Sequence, residues 1–125
     1  MVTTLLIGRL IFGGFFLFMG IMHFKNLKST IAYAKSKGTP LPALAVVISG
    51  LMIVIGGLGI IFGIYLNISL ILIAIFLFFV TLKIHTFWKE TDPNMKNIER
   101  VNFLKNAALF GATILFYVSL ANVAS

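Results

Sequence analysis

Two histidines are the side chains best placed for chemistry near neutral pH. His23 and His85 each stand near the end of a long apolar run. A neutral imidazole there can ligate a metal, hydrogen-bond a quinone carbonyl or relay a proton. Three cations, Arg9, Lys83 and Lys105, fall inside apolar runs, and a charge at the centre of a bilayer costs about 2.5–3.5 kcal/mol on insertion scales. No Asp or Glu is read inside a run, so these cations are expected to lack an acidic partner within the membrane. Lys83 is near the end of its run and can snorkel to the headgroups. Lys105, flanked by Asn102 and Asn106, is one turn into its run, where snorkelling competes with an inward role. Arg9 is expected to point inward, toward backbone carbonyls or a bound anion. The candidate ligand-binding residues are therefore His23, His85, Lys105, Asn106 and Arg9, with Phe24 and Phe103 to flank a ring. A quinone head is the one cofactor candidate. Two histidines could hold a haem axially, but zinc would need a third ligand that is not in sight, so no metal site is expected.

These residues need elements to position them. A membrane-spanning helix takes roughly 20 mostly apolar residues, and the chain's 125 residues accommodate four, at about 4–24, 41–65, 67–87 and 102–122. The composition is 60% hydrophobic and 10% charged, against about 45–50% and 25% in soluble domains. An ordinary soluble protein is thereby excluded. Disorder is excluded more firmly, because it requires low hydrophobicity and high charge. The expected fold is an all-α membrane protein: one four-span transmembrane domain over residues 1–125, its helices bundled, with a short interfacial amphipathic helix after the first span. There is no cysteine, hence no disulfide, thiol relay or thiolate site. The start, Met1-Val2-Thr3-Thr4, lacks a basic n-region, and no small-x-small site follows the first run, which is read as a retained span.

The connections are equally legible. Lys25 to Pro40 carries Lys25, Lys28, Lys35 and Lys37, with Leu27, Ile31 and Ala34 at helical spacing, the pattern of a surface helix with lysines among headgroups. Gly38 caps it, and Pro40 and Pro42 precede the next helix. Tyr65-Leu66-Asn67 is tight enough to make spans two and three antiparallel neighbours. Trp88 to Val101 is read as a second polar loop, with a turn at Asp92-Pro93-Asn94. Both polar loops hold the Lys/Arg excess, so the positive-inside rule places them in the cytoplasm and both termini outside. The net charge of +7 then reports topology and lipid headgroups, not nucleic acid.

Small residues mark helix contacts in lipid. At 100° per residue, Arg9, Gly13, Phe16, Gly20 and His23 share one face of span one. Ser49, Gly56 and Gly63 share one of span two. Ala74, Thr81 and His85 align in span three, and Lys105, Ala108, Ala112 and Ser119 in span four. Ser49 and Thr81 are expected to hydrogen-bond the preceding helical turn.

Several short elements then form an ordered set: Arg9-Leu10; Gly20-Ile21-Met22-His23-Phe24; Ser36 to Pro42; the glycines from Gly50 to Gly63; His85-Thr86-Phe87-Trp88; and Phe103-Leu104-Lys105-Asn106 followed by Ala108-Leu109 and Gly111. In this the chain resembles the DoxX family of small bacterial membrane proteins. The resemblance implies four spans and an association with redox complexes or oxidative-stress protection; the family name derives from a subunit of an archaeal thiosulfate:quinone oxidoreductase. Members often carry a glutamate in span two, within Gly-Leu-x-Glu-x-x-Gly-Gly. Here Ile53 stands at that place, which removes a natural counter-charge and argues against a proton relay.

The expected function is an accessory subunit of a quinone-linked redox assembly in the cell membrane, partnered by a redox protein or by its own copies. The alternative is an anchor for a cytoplasmic partner, acting through the surface helix and third loop. A small-solute or lipid carrier ranks last, because the span middles are almost wholly apolar. A self-contained enzyme is not expected: no nucleophile–base pair, carboxylate pair, phosphate loop or metal triad is present.

Overall fold

Two of the long helices end and begin, respectively, where the sequence supplies a cap, one at Gly63 and the other at Asp92. The computed structural model describes residues 2–124, with side chains from 3 to 120; Met1 and Ser125, part of the terminal readings above, lie outside it. Helix α1 is Val2–Lys25, α2 Leu27–Ser36, α3 Pro42–Phe62, α4 Leu66–Lys83 and α5 Pro93–Ala124, with a short 3₁₀ turn at Phe87–Lys89. No strand occurs among the described residues. Segments Thr3–Lys25, Pro42–Phe62, Leu66–Lys89 and Pro93–Leu120 are long and apolar enough to cross a membrane. Large apolar side chains stand exposed along all four, such as Ile11, Phe62, Phe79 and Leu115. That surface suits lipid and would be costly in water.

The short helix α2 forms as expected. Ala34 is buried and Leu27 and Ile31 half-buried, while Lys28 and Lys35 are exposed. Gly38, at φ 76°, terminates it with Gly38 N–H donating to Lys35 O at 3.0 Å and Thr39 N–H to Ala34 O at 3.2 Å, the paired bonds of a Schellman stop. At the far end of α3, Gly63 takes φ 69° and Ile64 N–H returns to Gly59 O at 2.9 Å. The helix therefore stops at Phe62, short of the expected Tyr65.

Two boundaries differ more. Helix α4 ends at Lys83, so His85 follows the helix and is not its last turn. Helix α5 starts at Pro93 instead of Asn102. The Asp92 carboxylate accepts Met95 N–H at 3.2 Å, its carbonyl accepts Lys96 N–H at 2.9 Å, and proline suits the first helical position. Once capped, Met95, Lys96, Glu99 and Arg100 propagate the helix, since they are good helix formers whatever their polarity. Of the segment read as loop, 88–101, the part from Pro93 onward is the first turns of α5.

The chain forms two compact units, one up to Ile73 and one from Ala74 onward, the division falling within α4. In the first unit, α1 packs on α3 through glycines. A Cβ at Gly13 would meet Gly57 O at 2.8 Å, and one at Gly57 would meet Leu17 N at 2.7 Å. Backbone approach this close requires glycine. Gly13, Phe16 and Gly20 are buried, so the expected α1 face is the contact face. On α3 that contact uses Gly50, Ile53 and Gly57, while Gly56 turns toward Ile73 and Ser69 of α4, which makes α3 and the start of α4 neighbours as expected. Ile53 is fully buried, a packing residue. In the second unit, Phe78 of α4 meets Phe110 of α5, ring centroids 6.0 Å apart.

Candidate functional site

The early start of α5 has a chemical consequence. It carries Glu99 into a helical face whose buried members are Glu99, Asn106 and Thr113, seven residues apart. Glu99 is 1% exposed. Its Oε1 accepts the Asn102 Nδ2–H at 3.1 Å and lies 3.1 Å from His85 Nδ1, whose imidazole is 13% exposed. A carboxylate and an imidazole thus meet at a largely buried place within the second unit. Breaking such a buried pair by removing one partner is strongly destabilising, so the two hold their geometry together.

Aromatic rings stand beside the pair. The 3₁₀ turn after His85 brings Phe87 and Trp88 onto α5. Phe103 sits 5.5 Å from Phe87 and 5.8 Å from Trp88, both edge-on, and Phe87 and Trp88 are 5.3 Å apart. The Arg100 guanidinium lies 5.6 Å from the Phe87 ring centroid, within cation–π range. One turn before His85, the Thr81 hydroxyl is buried and has no hydrogen-bond partner among the described residues. Ser49 does bond its preceding turn, donating to Val46 O at 3.0 Å, so only one of those two expectations holds.

The five residues singled out in the sequence divide between the two units, Arg9 and His23 in the first, His85, Lys105 and Asn106 in the second. His85 forms the pair. Asn106 is buried on the Glu99 face of α5, two turns further on. Lys105 is exposed, as are Ala108, Ala112 and Ser119, so the expected small-residue stripe of span four is an outer face. The error follows from centring the span on its apolar residues and not on its buried polar ones. His23 belongs to the first unit, beside Gly50 of α3, its Nδ1 3.0 Å from Met19 O one turn back. Arg9 stands near the other end of α1. Its guanidinium lies against Gly63 and donates to Ile61 O at 3.4 Å. The carbonyls at a helix C-terminus carry partial negative charge, so Arg9 caps α3 and meets backbone carbonyls, as expected for one of its two options.

The residue that sequence reasoning missed is Glu99, and with it the statement that no carboxylate enters a span. Glu99 falls in the spanning segment Pro93–Leu120. The signal was available: Glu99, Asn102 and Asn106 recur at three and four, and Asp92-Pro93 is a cap followed by a first-turn proline. Among the described residues no group of three or more His, Cys, Asp or Glu could hold a metal.

Four long apolar helices with large apolar side chains exposed along them define a multi-pass membrane protein. The DoxX family model matches residues 4–86, and the chain belongs to the DoxX family. It is also similar to the inner membrane protein YphA of Escherichia coli (strain K12), 28% identical over 121 residues that cover 94% of this chain and 83% of that protein. No solved structure matches. His85 lies within the matched segment; Glu99 and Phe103 lie beyond it.

Proposed function

We propose that this DoxX-family protein is a non-catalytic accessory subunit of a quinone-linked redox assembly in the inner membrane. The reading rests on one observation: the buried His85–Glu99 pair beside Phe87, Trp88 and Phe103. An imidazole that can exchange a hydrogen bond or a proton, next to rings that can stack on a flat head, fits a quinoid ligand. Bound there, a quinone would supply electron transfer; His85 would hold its oxygen, Glu99 would hold His85, and the three rings would flank the head. In this reading the Lys-rich segments face the cytoplasm, which places the pocket near the cytoplasmic headgroups.

Native mass spectrometry of the protein extracted in mild detergent from its own membrane tests this. A retained quinone or a copurifying redox protein is the expected result. A bare protein, or one carrying only phospholipid, would overturn it. The anchor reading would then lead, supported by exposed Lys28 and Lys35 on α2.

A further inference from the structure

Independently of the quinoid reading, we infer that α2 forms a binding site for anionic phospholipid, with Lys28 and Lys35 holding the headgroup phosphate. The apolar side of α2 is already used. Ala34 is buried and Leu27 and Ile31 half-buried, and the helix packs on α3 and touches α1. Its hydroxyls are used as well. Ser29 and Thr30 donate to Asn26 O at 3.0 and 2.8 Å, and Ser36 donates to Tyr33 O at 2.6 Å. Lys37 lies over the Tyr33 ring, 5.6 Å from its centroid. What α2 leaves outward is Lys28, Ala32 and Lys35, all exposed and within about 60° of one another around the axis. The two lysines are two turns apart, about 10 Å along the helix.

None of the chain's carboxylates belongs to the same unit. Glu90, Asp92 and Glu99 are its only acidic residues, and the first unit ends at Ile73. Charge complementarity therefore calls for an anion, and the surroundings call for one with acyl chains. Helix α2 joins the end of α1 to the start of α3, and both present exposed apolar side chains there: Ile21 and Phe24, Leu44 and Ile48. Leu41 adds another. It stands between Pro40 and Pro42 with φ 45°, a conformation that strains a leucine, and is 72% exposed. Ammonium groups beside an apolar belt match an amphiphile with an anionic head and apolar tails. A soluble acidic protein would leave that belt uncovered. A zwitterionic head brings its own ammonium, which offsets its phosphate; an anionic head does not.

The test is a native mass spectrometry titration of the full-length protein in neutral detergent with phosphatidylglycerol and with phosphatidylcholine of identical acyl chains. Phosphatidylglycerol is expected to bind about 10–30-fold more tightly, since each lysine near an anionic surface contributes about fivefold. Lys28→Gln with Lys35→Gln should bring the two lipids to within about threefold of each other. Lys28→Arg with Lys35→Arg keeps both charges and should retain the preference. So should Lys83→Gln with Lys89→Gln, which removes two exposed cations outside α2. Equal binding by the unaltered protein overturns the inference and leaves the outward lysines to the anchor reading. A preference that survives Lys28→Gln with Lys35→Gln overturns it too, by placing the lipid elsewhere. An equal fall in the Lys83→Gln and Lys89→Gln protein also overturns it, because net charge alone would then attract the lipid. Retention of a quinone enters none of these outcomes, so this inference and the proposed function fail separately.

Discussion

Glu99 reaches fourteen residues back along the chain to His85, with 3.1 Å between Oε1 and Nδ1. The contact ties the segment after α4 to the first turns of α5, so it fixes the path of the 3₁₀ turn between them. Glu99→Ala would leave both His85 and Asn102 without their shared acceptor. Removing one member of a buried pair costs on the order of 3 kcal/mol. Glu99→Gln retains a partner and should cost about 1 kcal/mol. Thermal unfolding in detergent reads both. A double-mutant cycle with His85→Ala should return a coupling of about 1–3 kcal/mol, and a coupling near zero would show that the pair does not form.

The glycines of α1 and α3 separate into those that touch and those that do not. A Cβ at Gly57 would meet Leu17 N at 2.7 Å and Gly13 O at 2.9 Å, both backbone atoms that cannot swing aside. Gly57→Ala should therefore lower stability by about 1–3 kcal/mol through overpacking. A Cβ at Gly14, next to Gly13 in α1, meets nothing within 4 Å. Gly14→Ala should raise stability by up to about 1 kcal/mol, because alanine is the better helix former. Equal effects at the two positions would sink the close-packed α1–α3 contact.

The contrast between these two regions explains what could be read from the sequence. The α1 face of Gly13, Phe16 and Gly20 was legible because its apolar and small residues carry the helical period with only Arg9 interrupting them. Helix α2 was legible for a similar reason: Leu27, Ile31 and Ala34 bury while Lys28 and Lys35 do not. The His85–Glu99 pair was not, because hydropathy averages across a window and places the boundary where charge begins. Glu99 is charged and buried at once, a combination that hydropathy cannot express. Burial of a carboxylate depends on a partner fourteen residues away, and pattern within one helix holds no record of it. For Lys105 the sequence left snorkelling and an inward role open, because its place in an apolar run does not say which way it faces; it is exposed.

Arg9 offers a test of capping. With its guanidinium against Gly63 and a bond to Ile61 O, it stabilises the end of α3 more than it offers itself to a ligand. Arg9→Met keeps the apolar stem and removes the donors, so it should lower stability by about 1 kcal/mol and speed amide exchange in the last turn of α3. Gly63→Ala should cost about 1–2 kcal/mol, because φ of 69° strains any residue with a Cβ. Unchanged exchange rates in Arg9→Met would assign Arg9 a role elsewhere.

Thr81 predicts a gain. Its hydroxyl is buried with no hydrogen-bond partner among the described residues, a cost that a folded protein bears only for a reason. Thr81→Val keeps the shape and removes the orphan, and should raise the unfolding midpoint, by about 1 kcal/mol of stability. A fall instead would mean that the hydroxyl has a bound partner in the membrane, and quinoid affinity should then be measured on the same variant.

Trp88 makes the pocket observable. It is the only tryptophan in the chain, and it sits 5.8 Å from Phe103, centroid to centroid, so its fluorescence reports the aromatic cluster without interference from another indole. Decyl-benzoquinone, an efficient quencher, should extinguish it saturably in the detergent-extracted protein. Phe103→Leu keeps the apolar bulk and loses the edge-on contacts to Phe87 and Trp88, each worth about 0.5–1.5 kcal/mol. The quenching midpoint should therefore move to roughly fivefold higher quinone. His85→Phe should move it in the same direction, because it removes the imidazole that would hold the head's oxygen. Linear quenching that never saturates, identical in all three proteins, would mean that the quinone reaches Trp88 only by collision through the detergent and that the rings form no binding wall.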